Sequence, residues 1–240
     1  MASLLRPESY FPTTFAKTLG MRYRYFLLII FCILCLDQGL KFWVKTHMFQ
    51  GQDIRVIGSW FRIHFVENEG MAYGIDLGNG GGKLLLSLFR LGAVTAGFFL
   101  IHSMIRKKYH RGLIVCGALI IAGALGNLID SLFYGLLFSG SPDYVHQVAR
   151  LLPPGGGYGS FLHGRVVDML FFPIYQGFLP RWLPLIGGHY FNFFSYVFNI
   201  ADASISIGVI AIILFQKSFF RRKPAAAPVI EPAPGATVQD

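Results

Sequence analysis

The fold class predicted by the sequence is an all-α membrane protein. It has four transmembrane helices, N- and C-termini cytoplasmic, a small extracytoplasmic β-platform and long outer loops. Three observations predict it. The 240-residue chain is 54% hydrophobic and only 14% charged, with a mean hydropathy of +0.53, whereas soluble domains carry about a quarter charged residues. Its apolar residues gather in four runs, each near the roughly 20 helical residues that cross about 30 Å of hydrocarbon. Its charge is also one-sided. Twelve of the 21 Lys and Arg fall at residues 6–24, 106–111 and 217–223, and the two chain ends and the 106–111 turn carry only three of the 12 acids, Glu8, Glu231 and Asp240. The excess of +9 thus belongs to one side of a four-helix arrangement, and the positive-inside rule places that side in the cytoplasm. These flanks account for the basic balance as topology signals, so no nucleic-acid partner is expected.

Taken in order, residues 1–20 read as a short polar lead-in, and the first span runs over 25–44. Arg22 and Arg24 precede "YFLLIIFCILCL" in the manner of a signal peptide. No small-x-small cleavage site follows, so this helix is expected to be retained. The first outer region, 46–82, contains "WFRIHFVEN", where Phe61, Ile63 and Phe65 alternate with Trp60, Arg62 and His64. That period of two predicts a strand. The second and third spans cover 84–105 and 112–134, joined by "RKKYHR". A second outer region, 135–193, is rich in Gly and Pro ("LLPPGGGYGS") and precedes the fourth span at 194–215. Residues 1–220 form one membrane-embedded domain in this reading, and the Pro- and Ala-rich 221–240 a disordered tail. Cys32, Cys35 and Cys116 fall within spans with no disulfide or metal-ligand pattern, which assigns them to apolar packing.

Polar residues share a depth. Counted inward from the basic ends at about 1.5 Å per residue, Asp37, Asn127 with Asp130, and Asn199 with Asp202 all reach about 20–27 Å. Each buried carboxylate costs about 2.5 kcal/mol or more on insertion scales, so three helices agreeing on one level argues for a site. Asn127 and Asp130 are three residues apart, as are Asn199 and Asp202, which places each pair on one helical face. Ser195, Asn199, Asp202 and Ser206 extend a polar seam along the fourth span, and Ala118, Ala122 and Gly126 form a small-residue ridge on the third. Asp168, in "GRVVDMLFF", is another lone acid among apolar neighbours. Two close carboxylates share a proton, the arrangement that activates water and protonates a leaving amine. The sequence has no H-E-x-x-H zinc site, no G-x-S-x-G elbow and no Cys paired with a nearby His in a wet setting. An aspartyl mechanism without metal or organic cofactor is what remains.

Five fragments in order, "DQGLK" (37–41), "NEGMAYG" (68–74), "GALGNLID" (123–130), "GRVVDM" (164–169) and "FNIAD" (198–202), resemble the prolipoprotein signal peptidases, or signal peptidase II. The resemblance implies an aspartic endopeptidase of the bacterial inner membrane with its active site near the extracytoplasmic face. Its substrate would be a diacylglyceryl-modified prolipoprotein, cut before the lipidated Cys. Membrane lipids and a globomycin-type inhibitor would be its other partners, and a monomer is expected. Asp168 and Asp202 carry over as the catalytic pair, in either assignment of base and acid. Asn68, Gly70, Asn127, Asp130, Arg165 and Asn199 carry over as substrate-binding or supporting residues, with Asp37 as a structural acid. Two departures stand out. The family has Arg after the acid of its third-helix motif, where this chain has Ser131; Arg165 or Arg90 could supply that charge. The inserts 138–160 and 175–190 lengthen the outer connections, as a substrate lid or as decoration.

Structural roles compete with each assignment: Asp37 with Lys41 as an i, i+4 pair, Asn68 as a turn residue, Asn127 and Asp130 as helix-to-helix glue, and Asp168 as a loop carboxylate. The rival functions are a small proton-coupled transporter and a non-catalytic lipid- or peptide-binding membrane protein.

Overall fold

The computed structural model describes residues 13–68, 81–141 and 146–220. Gly70 with most of the "NEGMAYG" fragment, and the tail 221–240, lie outside the described residues. The elements are α1 (Thr13–His47), β1 (Asp53–Ile57), β2 (Phe61–Asn68), α2 (Gly81–Arg106) and α3 (Arg111–Ile129), then β3 (Val166–Phe171), β4 (Tyr175–Phe178), β5 (Tyr190–Phe193), β6 (Val197–Phe198) and α4 (Ile200–Phe219). One π-helical turn (Asp130–Tyr134) and a last turn (Gly135–Leu137) continue α3. Four of these stretches are long and apolar enough to cross a membrane: Tyr23–His47, Gly81–Arg106, Arg111–Leu137 and Ile200–Phe219.

Helix α3 is the central one. Its span is 56% buried against 17–22% for the others; those others turn most of their side chains outward, where lipid takes the place of a partner. The small-residue ridge explains the close packing. A Cβ on Gly123 would strike the Ala201 carbonyl of α4, and one on Gly126 would press on Asp37 of α1 and on Ala201. Ala118 and Ala122, both fully buried, complete this face.

The strand read from "WFRIHFVEN" belongs to a small sheet, as expected. Strands β1, β2, β3 and β6 form an antiparallel sheet in that order, and β4 with β5 makes a separate hairpin. The described residues thus combine four long apolar helices with two small antiparallel sheets. In strand β2 the alternation shows at Phe65, which is buried in a second core with Val44, Met48, Tyr134, Phe138, Val167 and Met169, with Ile63 packed against it, whereas Phe61 to His64 are all half-buried.

Three of the boundaries that differ from expectation bear on the packing. Helix α1 is already formed at Thr13, the first described residue, and no Pro interrupts it before His47. It also runs past Val44 to His47, since Lys45 does not mark a membrane edge. The Lys45 ammonium is wholly buried beside Glu67 of β2 and Ser141, under the rings of Phe65, Phe138 and Tyr158. The fourth helix begins at Ile200, six residues after the expected Phe194, because "VF" at 197–198 pairs with Leu170 and Phe171 of β3. The seam assigned to it is corrected accordingly. Ser195 precedes the helix, Ser206 is exposed, and Ser204 is the serine that turns inward, donating to the Leu119 carbonyl at 2.8 Å.

Breaking a buried ion pair from one side costs about 3–5 kcal/mol, and after loss of Lys45 the buried Glu67 would keep only the part-exposed Arg165, at 3.4 Å. Lys45→Met is therefore expected to lower the thermal midpoint in detergent by roughly 10 °C, and Lys45→Met with Glu67→Leu to recover most of that loss, as read by differential scanning fluorimetry.

Candidate active site

The site is assembled where the ends of α1 and α3, strand β3 and the start of α4 meet. Lys41, one turn after Asp37 on α1, is its organising cation. Its three ammonium protons have three acceptors: Asp37 at 2.9 Å, Asp130 at 2.8 Å and the Asn127 amide oxygen at 2.9 Å. All four side chains are buried, Lys41 and Asp130 completely. The i, i+4 pairing of Asp37 with Lys41 is thus present, and it is also more than a local pair. The second oxygen of Asp37 accepts from the Ala201 N–H in the first turn of α4 at 2.9 Å. Asp130 accepts from the Val167 N–H of β3 at 3.3 Å and from Gln38 Nε2 at 2.9 Å. Two acids therefore tie four elements to one cation.

Asn127 passes this order on to the candidate catalytic acids. Its oxygen faces Lys41, so its amide nitrogen faces the other way and donates to Asp202 at 2.8 Å. The same oxygen accepts from Asn199 Nδ2 at 3.1 Å. Asn199 is the N-cap of α4: its oxygen accepts from the Asp202 N–H at 2.8 Å, and its own N–H donates to the Asp202 carboxylate at 3.4 Å. This capping box answers why an amide and an acid stand at the head of an apolar helix, since the first N–H groups of a helix have no partner within it. The pair serves as a cap, not as a continuous seam along one face.

Asp168 arrives from the other side, on β3. Asn199 Nδ2 donates to it at 2.7 Å and to the Val167 carbonyl at 3.3 Å, and the exposed Asn68 at the end of β2 donates to it at 3.3 Å. Asp168 is 4% exposed, Asp202 half-buried. Asn199 is therefore bonded to both acids, and Asn127 to Asp202. Burial, then the nearby charge of Asp202, pushes the Asp168 carboxyl up to about 7, against the opposing effects of the Asn68 bond, Lys41 and the Asn199 bond. Gly164 opens the approach to β3 because a Cβ there would collide with the Asp130 carbonyl.

Of the residues expected to form the site, Asp37, Asn68, Asn127, Asp130, Asp168, Asn199 and Asp202 come together. Arg165 does not join them: its guanidinium turns to Glu67 at 3.4 Å and lies over the Tyr158 ring. Arg90 does. From α2 it donates to the Ser131 hydroxyl at 2.8 Å, and Asp130, Asp168 and Asp202 are all near enough to act on its charge. The Ser131 hydroxyl in turn donates to the Asn127 carbonyl at 3.0 Å. Gln38, Lys45 and Glu67 were not picked out from sequence. Gln38 could have been, as a polar neighbour of Asp37 inside an apolar run, whereas Lys45 and Glu67 lie in different elements and nothing local joins them. Among the described residues no group of three or more His, Cys, Asp or Glu is placed to hold a metal ion.

Comparison with known proteins converges on one family. The model of "Signal peptidase (SPase) II" matches residues 29–219. A lipoprotein signal peptidase of Porphyromonas gingivalis is 51% identical over 187 residues, 78% of this chain and 80% of that protein. That of Amoebophilus asiaticus is 34% identical over 186 residues, 76% and 73% of the two chains. A bacterial membrane enzyme solved by the in meso method at 2.3 Å resolution superposes with a TM-score of 0.50 at 24% identity, over 85% of this chain and 94% of that one, a likeness of fold. With four spans of membrane-crossing length, the chain belongs to the signal peptidase II family, multi-pass membrane aspartic peptidases that remove signal peptides from prolipoproteins.

Proposed function

We propose that this chain cuts diacylglyceryl-modified prolipoproteins immediately before the lipidated Cys, with Asp168 and Asp202 as its catalytic pair. The observation that carries the reading is the meeting of two carboxylates, one from β3 and one from α4, around the Asn127–Asn199 amides. Residues 1–220 act as one membrane-embedded unit, monomeric in the bilayer. Both termini and the basic α2–α3 turn face the cytoplasm, following the distribution of Lys and Arg. The sheet and the site then lie toward the outer face of the inner membrane, where an exported precursor presents its cleavage site. The signal helix lies against the bundle with its acyl chains left in lipid, and the same pocket is the target of globomycin-type inhibitors.

Asp202 takes a proton from a water as it attacks the scissile carbonyl. Asp168 holds the shared proton and polarises the carbonyl oxygen. The gem-diol collapses as a proton passes to the departing amine. Asn127 and Asn199 fix the two carboxyl groups relative to each other, which is a positioning role. Arg90, one hydrogen bond from Ser131, stabilises negative charge developing on the substrate oxygen. It stands in for the arginine that the family carries directly after its third-helix acid.

Asp168→Asn and Asp202→Asn are each expected to slow cleavage of a lipidated precursor by about 10³-fold or more with the helical circular dichroism unchanged; normal cutting by both variants would remove the dyad. Because Asp168 works protonated and titrates at about 7, kcat/KM should fall as the pH rises through that value. The Asn68 bond holds the Asp168 carboxyl down, so Asn68→Ala should move this alkaline limb to higher pH in the same cleavage assay. The sign for stability is the same: a carboxyl that binds its proton more tightly when folded destabilises the fold as pH rises from about 4 toward 7. Asp168→Asn should therefore raise the thermal midpoint at pH 8 by a few degrees. Arg90→Ala should lower kcat by about 10- to 100-fold, and adding Ser131→Arg should recover part of it, whereas a purely structural Arg90 would show no rescue.

A further inference from the structure

The β4–β5 hairpin is unlike the rest of the outer region. Between Pro173 and Phe198 the chain carries a single charged side chain, Arg181, and no acid. Its tip is nevertheless bare: Leu185 is 98% exposed, Trp182 79% and Phe178 72%. The pairing of Tyr175 with Phe193, Gly177 with Phe191 and Phe178 with Tyr190 puts Tyr175, Phe191 and Phe193 on one face and Phe178 with Tyr190 on the other. Both faces therefore carry exposed aromatic rings, the second with Gln176 beside them. The rings brace one another, with Phe178 edge-on to Tyr190 at 5.4 Å and Phe191 stacked near Phe193 at 6.2 Å. A docked protein would cover one face of a two-stranded ribbon and leave the other in water. A lipid medium covers both.

The root of the hairpin leads through an aromatic cluster into the start of a membrane-crossing helix. Phe172 stacks on Phe61 at 4.8 Å and on Phe198 at 5.7 Å, two residues before the membrane-crossing helix α4 begins at Ile200. Trp60, Phe194 and Tyr196, all exposed, surround that root. Trp and Tyr are the residues that gather at bilayer interfaces, where an apolar ring meets the headgroup layer, and a lone Arg among them can reach a phosphate. An apolar patch of this extent exposed to water would be an aggregation hazard.

We propose that the β4–β5 hairpin is a lipid-inserted anchor: its tip, Trp182 to Ile186, enters the bilayer on the same side as the β3 and α4 carboxylates, with Arg181 at headgroup level. The hairpin joins the strand that bears Asp168 to the helix that bears Asp202, so the anchor fixes the height of both against the membrane surface. The inference rests on the membrane-spanning character of the chain and is independent of which residues cut.

Replacing Trp43 and Trp60 by Phe leaves Trp182 as the only fluorophore of the chain's three tryptophans. In proteoliposomes of phosphatidylcholine brominated near the top of its acyl chains, Trp182 is expected to lose roughly half or more of its emission while aqueous acrylamide quenches it weakly. Emission unaffected by the brominated lipid and readily quenched by acrylamide would overturn the proposal. So would lipid-independent emission that shifts to shorter wavelength only on adding periplasmic protein, the outcome expected of a protein-docking ribbon. Should the tryptophan variant fail to fold, a nitroxide on Leu185→Cys, in a Cys32→Ala, Cys35→Ala chain, gives the same answer: greater accessibility to oxygen than to a nickel chelate supports insertion, and the reverse ratio refutes it.

Discussion

Lys41 has three protons to give and three oxygens to receive them, and much of the molecule is arranged around that equality. Its ammonium is cut off from water, so each proton left without an acceptor would cost as much as a lost charged hydrogen bond. Asp37, Asp130 and Asn127 prevent that. In accepting, they acquire fixed orientations, and their remaining oxygens and hydrogens reach β3, α4 and the Asp202 carboxylate. The bundle's packing supplies the room: a Cβ at position 126 would press on the Asp37 carboxylate and displace it. One cation thereby sets where the strand and the last helix stand relative to each other, and with them the two acids of the candidate pair.

The site's chemistry follows from unequal surroundings. Asp168 is deep, on a strand whose neighbours Val167 and Met169 are buried, and it answers to Asn68 and Asn199. Asp202 is less buried and doubles as part of a helix cap. Two like groups in unlike places are what an acid–base pair requires. Arg90 adds a charge from α2 through the Ser131 hydroxyl, next to Asp130. The π-helical turn at Asp130–Tyr134 lies at this point, and such turns are common at functional sites.

Much of this was legible in the sequence, for identifiable reasons. The spans were, because hydrocarbon thickness dictates run length and few residues interrupt the runs. The set of polar residues was also legible, because an acid inside an apolar run is too costly to persist without a partner or a use. The start of α4 was misplaced, since "FNFFSYVF" is apolar enough for a span and aromatic enough for a strand. Asn199 with Asp202 three residues later is a capping-box spacing, and that signal was there to be read. Lys45 and Glu67 looked like polar ends of their elements. Only the tertiary fold, which brings 45 beside 67, shows them as a buried pair. Arg90 against Arg165 was likewise undecidable from spacing, because the choice depends on which way α2 leans on α3.

The pairing of Asp37 with Lys41 within a single helix also bears on how such a chain is made. A nascent first span carrying both an acid and a base would be costly to release into lipid were the two unable to meet. Set one turn apart, they neutralise each other from the moment the helix forms, so α1 can leave the translocon with its own counter-ion. Asp130 and Asp202 have no such companion on their own helices. Lys41 and Asn127, which bond them from other stretches, are already synthesised when the two acids emerge, while the Val167 N–H that also reaches Asp130 follows later.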